Sequence, residues 1–353
     1  WIDTFAEIFA LSKIGGGEPV AILSESQSRA LNVHLAELAA HRLGAKPFHL
    51  IVPTPRNPHT TPVRSTGSSI AIGGLAPVVG ALKASPVIID LTVEGLMHAR
   101  ETAELLESGA RILTISNEHP EALERLVPEA ADEARVRAAV KRVKSAKQMT
   151  VTSAAGSDLT VDIAGAATVG VWGFTSKPGT LQHVPGGLVV SFPKAGAVRG
   201  RLVFAPGDAN LTFKRFFESN VTATIDDDHI TRLDGTGADA ELMRRGLAAW
   251  GDRGAYAVSH VGFGMNRRAR LESLAAYDQR DTNGTEIRAV AGNFLFSTGA
   301  NEFAGRFTAG HFDLPMMGTT IALDGAVGIL AAAGGDAAGD GAPRADRSMD
   351  HRR

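Results

Sequence analysis

The chain has 353 residues, 44% of them hydrophobic, and a formal net charge of -2. That length supports a large core in one or two domains, and no basic block points to nucleic acid, nor an acidic tail to a solvating role. Cysteine is absent, which excludes disulfides, iron–sulfur clusters, cysteine nucleophiles and thiolate metal sites.

The lack of cysteine suits a cytoplasmic protein, and no run of eighteen or more apolar residues predicts a membrane span. Residues 1–13 read as an amphipathic helix without the marks of a signal peptide. The opening on Trp1 and not on methionine implies a start inside a longer sequence. Residues 19–23 form a first strand after Gly15-Gly16-Gly17, residues 26–43 a helix, and residues 47–52 a second strand. This strand–helix–strand rhythm predicts a parallel sheet. Residues 53–69 make a long polar loop carrying Arg56, His59 and Arg64. No phosphate-loop or dinucleotide fingerprint is present. Residues 86–91 read as a strand. The helix expected from 92 or 93 to 106 would put Glu94 and His98 on one face. Residues 111–115 are another strand, His119 and Pro120 start a turn, and the charged run 120–147 reads as solvated helix.

After Gln148 the pattern changes. Residues 149–163 alternate around Gly156 as a hairpin, with further strands at 188–192, 200–204 and 221–225 and a helix at 238–251. The expected architecture is an α/β N-terminal domain over 1–140 with a mainly parallel sheet. An α+β metal-binding domain with antiparallel strands follows over 149–333. Residues 334–353 are a low-complexity tail, too poor in apolar residues to fold alone.

Chemistry concentrates in residues 257–318, a glycine-dense stretch with few polar side chains. His311 and Asp313 are two apart, so on a strand they share a face. Burying such a pair requires a metal or a mutual hydrogen bond, and spacing leaves both readings open. With His260 they compose a two-histidine, one-carboxylate set of the kind that suits iron(II) with open positions. Spacing alone does not bring the three together. Glu286 reads as a former metal ligand or a salt-bridge partner, and Arg267 and Arg268 as anion-orienting groups or a solvated turn. Asp226-Asp227-Asp228 lacks the acidic spacing of a calcium loop. Phe263, Phe294, Phe296, Phe307 and Phe312 read as core or pocket wall.

His260-Val261-Gly262-Phe263-Gly264, the segment 292–299 and His311-Phe312-Asp313 are together similar to the C-terminal signature of thermophilic-type leucyl aminopeptidases, which are two-metal peptidases. Val184-Pro185-Gly186-Gly187-Leu188-Val189 resembles that family's Pro-x-Gly-Glu turn. The likeness covers most of the chain, weakly over the first 150 residues and more clearly after 180. The departures are specific. His260 stands where the peptidases have a metal-binding Glu, Asn293 where they have a His, and Leu188 where the turn has its acid. A second metal would lose ligands.

The same departures resemble a closer branch, the 2,5-dihydroxypyridine 5,6-dioxygenases of nicotinic acid degradation, built on the peptidase fold. The phrase His311-Phe312-Asp313-Leu314-Pro315-Met316-Met317-Gly318 is the strongest local match. The resemblance implies one Fe²⁺ per chain held by His260, His311 and Asp313, with His98 and His183 as catalytic histidines. Met97, Ser297 and Thr298 are expected to contact the substrate. It further implies opening of the C5–C6 bond with O₂ to N-formylmaleamate, and a homo-oligomer. The alternatives are a two-metal hydrolase, a dioxygenase for another hydroxylated pyridine, and a binding protein that has lost catalysis. No membrane or nucleic-acid role is expected.

Overall fold

The computed structural model describes residues 1–56, 69–279 and 282–327. His59, Arg64 and the expected tail lie outside the described residues.

The first layer is a five-stranded parallel sheet in the order Lys46–Val52, Pro19–Glu25, Val87–Asp90, Arg111–Thr114, Leu181–His183. Its three central strands are buried on both faces because helices cover both. Val20 and Ile22 pack with Phe5, Phe9 and Leu35 of the helices Ile2–Leu11 and Ala30–Arg42. Ala21 and Leu23 turn the other way, toward Leu82 and Leu105 of Ala76–Lys83 and Thr102–Glu107. The last strand of this sheet comes from far along the chain, beyond the charged helices Pro120–Arg125 and Ala130–Ser145. Between those helices, Glu129 and Asp132 form a capping box, which stops the run 120–147 from being one helix.

The rest is antiparallel. A seven-stranded sheet runs His229–Asp234, Val221–Asp226, Val198–Phe204, Asp158–Asp162, Gln148–Ser153, Thr319–Leu323, Ala326–Val327. A five-stranded sheet runs Arg306–Met316, Phe294–Asn301, Val258–Gly264, Leu188–Phe192, Ala167–Val171. They share a core in which Val151, Leu159 and Phe204 meet Phe263, Phe294, Phe296 and Phe312. Each buried phenylalanine contributes roughly 1.5–3 kcal/mol. Phe307 is not core, with 51% of its surface exposed; it lines a surface cavity instead. Together the layers make the expected two-domain α/β architecture.

The helix expected from residue 92 or 93 is not formed before Thr102. The buried Asp90 carboxylate accepts the backbone N–H of Thr92 at 3.0 Å and of Leu96 at 2.8 Å. The Thr92 hydroxyl accepts the N–H of Gly95 at 3.1 Å, and Gly95 sits at φ +77°. These bonds offer the backbone a turn in place of a helix. Glu94 and His98 therefore do not share a helical face; the turn carries His98 into the interior, where it is 5% exposed.

Candidate functional site

Strand alternation puts His311 and Asp313 on one face of Arg306–Met316. The neighbouring strand meets them with Gly299 opposite His311 and Ser297 opposite Asp313. A Cβ on Gly299, at φ +109°, would stand 1.8 Å from the Gly310 carbonyl oxygen, so only glycine lets the strands close there. On the other side, Val258–Gly264 pairs with Phe294–Asn301 through a register shift between Val258 and Val261. His260 lies within that irregularity, a device that re-aims a side chain. As a result the Asp313 Oδ1 is 3.2 Å from His311 Nε2 and 3.8 Å from His260 Nε2. From the turn after Asp90 comes His98, and donor atoms of His98, His260 and His311 lie within 4.8 Å of one another. Three histidines thus form a group able to hold one metal ion, with Asp313 against it.

All four side chains are buried, and their charges are set by their partners. Burial pushes the Asp313 carboxyl upward, but Arg288, His311 and His260 outweigh it and hold the group well below the usual carboxylate range. Arg288 Nε donates to Asp313 Oδ2 at 2.5 Å, and the Ser297 hydroxyl donates to Oδ1. Burial also drives His260 well below its ordinary value. His183, at the end of Leu181–His183, is lowered to about 3, first by burial and then by Arg288 and His98. These imidazoles are neutral at physiological pH, the form that ligates metals and accepts protons. His98 Nδ1 lies 2.8 Å from Glu302 Oε1, a carboxylate partner that selects a tautomer with hydrogen on Nδ1.

A cavity opens on this group. Its volume is about 50 Å³, several times the roughly 10–15 Å³ that one water needs. Met97, His98, His183, His260, His311 and Asp313 line it, with Val171, Leu188, Val190 and Leu295 as apolar wall. Ser297 and Thr298 are not among the lining residues, contrary to the substrate contact expected of them. Ser297 spends its hydroxyl on Asp313, and Thr298, opposite Phe312, is buried on the alternate face of the strand.

Other expected candidates resolve into structural parts. Glu286 takes a bidentate bond from Arg125 at 2.9 and 3.1 Å and the Arg270 N–H at 2.8 Å, so it is a salt-bridge residue. Arg268 donates to the Val127 carbonyl at 2.7 Å. His119 caps the helix Pro120–Arg125 and stacks on Tyr277. Asp228 binds the backbone N–H groups of Gly196 and Val198. The reading of the sequence missed Arg288, Glu302 and Asn283. Arg288 sits two residues beyond Glu286, so strand-like or helical spacing offered no signal. Glu302 follows the strand that carries Ser297, and its proximity to His98 spans 204 residues.

The residues suit a mononuclear metal. His260 Nδ1 and His311 Nδ1 are buried with no hydrogen-bond partner among the described residues. Their Nε2 atoms face the same Asp313 oxygen, and two imidazoles converging on one buried, ionised carboxylate oxygen form a donor set that suits a cation. Neutral imidazole with carboxylate is also the donor set of non-haem iron(II) sites.

The chain is similar to known proteins over nearly its whole length. The family model NicX, 2,5-dihydroxypyridine 5,6-dioxygenase, matches residues 1–333. A 2,5-dihydroxypyridine 5,6-dioxygenase of Pseudomonas putida KT2440 is 33% identical over 332 residues, covering 93% of each chain. A solved structure of 2,5-dihydroxypyridine dioxygenase from that organism superposes with a TM-score of 0.87 at 32% identity, covering 94% of this chain and 95% of the other. AmpT from Thermus thermophilus superposes with a TM-score of 0.58 at 16% identity, covering 91% and 94%, a likeness of fold alone. With the match spanning nearly the whole described chain, this protein belongs to the 2,5-dihydroxypyridine 5,6-dioxygenase family.

Proposed function

We propose that this chain opens the C5–C6 bond of 2,5-dihydroxypyridine with O₂, giving N-formylmaleamate, and that one Fe²⁺ per chain is held by His260, His311 and Asp313. The observation that carries this reading is the convergence of His260 with the distant pair His311 and Asp313 on one cavity with two further histidines. When bound there, iron(II) supplies the redox chemistry that lets dioxygen react with an electron-rich ring.

The protein's own groups do the rest. Arg288 and Ser297 keep Asp313 ionised and oriented. His183 Nε2 is buried without a partner among the described residues, and burial holds its basicity far below the ordinary value, so it is placed to accept a hydrogen bond from the ring hydroxyl. His98 is the candidate base: with hydrogen on Nδ1 shared with Glu302, its Nε2 is an acceptor. Loss of that proton raises electron density in the ring. The aliphatic wall of Val171, Leu188, Val190 and Leu295 grips the ring faces and keeps bulk water out, and Met97 closes the pocket beside His98. In this reading the enzyme works in the cytoplasm as a homo-oligomer.

Anaerobic reconstitution with Fe²⁺, followed by oxygen uptake on addition of 2,5-dihydroxypyridine, tests the proposal. The expected result is one iron per chain and one O₂ consumed per ring opened, both lost in His260→Ala. Two divalent ions per chain, no oxygen uptake and release of amino acids from peptides would overturn it in favour of a hydrolase.

A further inference from the structure

The cavity is also lined by a short segment whose polar groups are held in place by hydrogen bonds. Asn283 lines the cavity and is 5% exposed. Its Oδ1 accepts Arg288 Nη1 at 2.8 Å and the Thr285 hydroxyl at 3.2 Å. A guanidinium can only donate, so the oxygen of the amide must face Arg288. The planar group then turns its NH₂ to the opposite side. The backbone is fixed as well: the Asn283 carbonyl accepts Lys214 Nζ at 3.0 Å, and the Thr285 N–H binds Glu118 Oε1 at 2.8 Å. The same guanidinium donates through Nε to Asp313. Asn283 and Asp313 are therefore placed one guanidinium apart on a rigid bridge.

We infer that Asn283 is a specificity-determining residue, whose amide NH₂ donates a hydrogen bond to the 2-oxygen of the substrate ring. This rests on the functional reading above. 2,5-Dihydroxypyridine carries its two oxygens at opposite ends of the ring. With the 5-oxygen turned to His260, His311 and Asp313, the 2-oxygen needs a donor at the far end of the cavity. Its pyridone form presents a carbonyl there, which accepts and cannot donate. A donor already locked by Arg288 and Thr285 pays little ordering entropy on binding.

The test compares two rings on the iron-loaded, anaerobic protein: 2,5-dihydroxypyridine and 3-hydroxypyridine, which is the same ring without the 2-oxygen. Asn283→Asp keeps an oxygen for Arg288 and replaces the donor with an acceptor; Asn283→Ala removes both. In calorimetric titrations both variants are expected to weaken 2,5-dihydroxypyridine by about tenfold and 3-hydroxypyridine by less than twofold. Equal weakening of both rings would show that Asn283 acts only through Arg288 and Asp313, and would overturn the inference. So would unchanged binding of both. Wild-type protein that turns over 2,5-dihydroxypyridine while the variants keep its selectivity sinks the inference alone. Wild-type protein that binds neither ring sinks the functional reading and the inference with it.

Discussion

A carboxylate and several imidazoles can share a dry pocket only when their protonation is arranged. Here Arg288 provides the compensating charge on Asp313, and burial keeps His260 and His183 neutral. His183 makes the consequence measurable. Its folded value of about 3 lies below the ordinary 6.5, so the unfolded chain takes up a proton that the native site refuses. The stability tied to His183 is therefore complete above pH 6.5 and is lost as pH falls toward 3. Each unmatched proton tilts stability by about 1.4 kcal/mol per pH unit. In metal-free protein, denaturant unfolding between pH 6.5 and pH 4 should show a slope that His183→Gln reduces by up to that amount. An unchanged slope would mean that His183 is not buried neutral. At this scale the residues that matter were partly legible. His260, His311 and Asp313 stood in glycine-rich phrases that resemble a known family, whereas Arg288 is a solitary arginine whose role exists only where it touches Asp313.

Among the elements, the strands were easier to read than the turns. Apolar runs and alternation placed Pro19–Glu25, Val87–Asp90, Arg111–Thr114 and Leu188–Phe192 near their observed bounds, whereas Val258–Gly264, Phe294–Asn301 and Arg306–Met316 are strands that the glycine-rich pattern did not announce. The helix expected after residue 92 failed because the buried Asp90 carboxylate claims backbone N–H groups that a helix would use. Periodicity counts side chains and cannot weigh that competition. The glycine pattern supports a sharper expectation. Gly299 has a left-handed backbone and no room for a methyl group against Gly310, so Gly299→Ala forces apart the strands that carry Ser297 and His311. It should cost about 3 kcal/mol or more, read as a lowered denaturation midpoint, and weaken metal binding in the folded fraction. A variant of native stability with full metal affinity would contradict this account of the strand pairing.

In the whole molecule, the site lies where two kinds of sheet meet. His98 and His183 come from the carboxyl ends of the parallel strands Val87–Asp90 and Leu181–His183, the usual ligand position in an open α/β sheet. His260, His311 and Asp313 come from the antiparallel sheet. The Arg125–Glu286 pair ties a helix of the first layer to the segment before Arg288. A metal bound between these layers should stabilise both. At a free concentration one hundred times its dissociation constant the gain is about 2.7 kcal/mol. A chelator should therefore lower the melting temperature of the wild type and leave that of His260→Ala unmoved. A wild-type melt insensitive to chelator would argue that the ion is not held between the layers. Among the described residues no helix is long and apolar enough to cross a membrane. The order of residues alone carried the sheet types, the exclusion of cysteine chemistry and, through its resemblance, the family. Those properties are carried by local pattern and by residue identity. Packing in three dimensions was needed to show that Leu181–His183 completes the parallel sheet, that Ser297 serves Asp313, and that Arg288 links Asp313 to Asn283. Each of these depends on groups far apart in the chain, whose contact arises from packing and hydrogen-bond satisfaction across layers and leaves no periodicity to read.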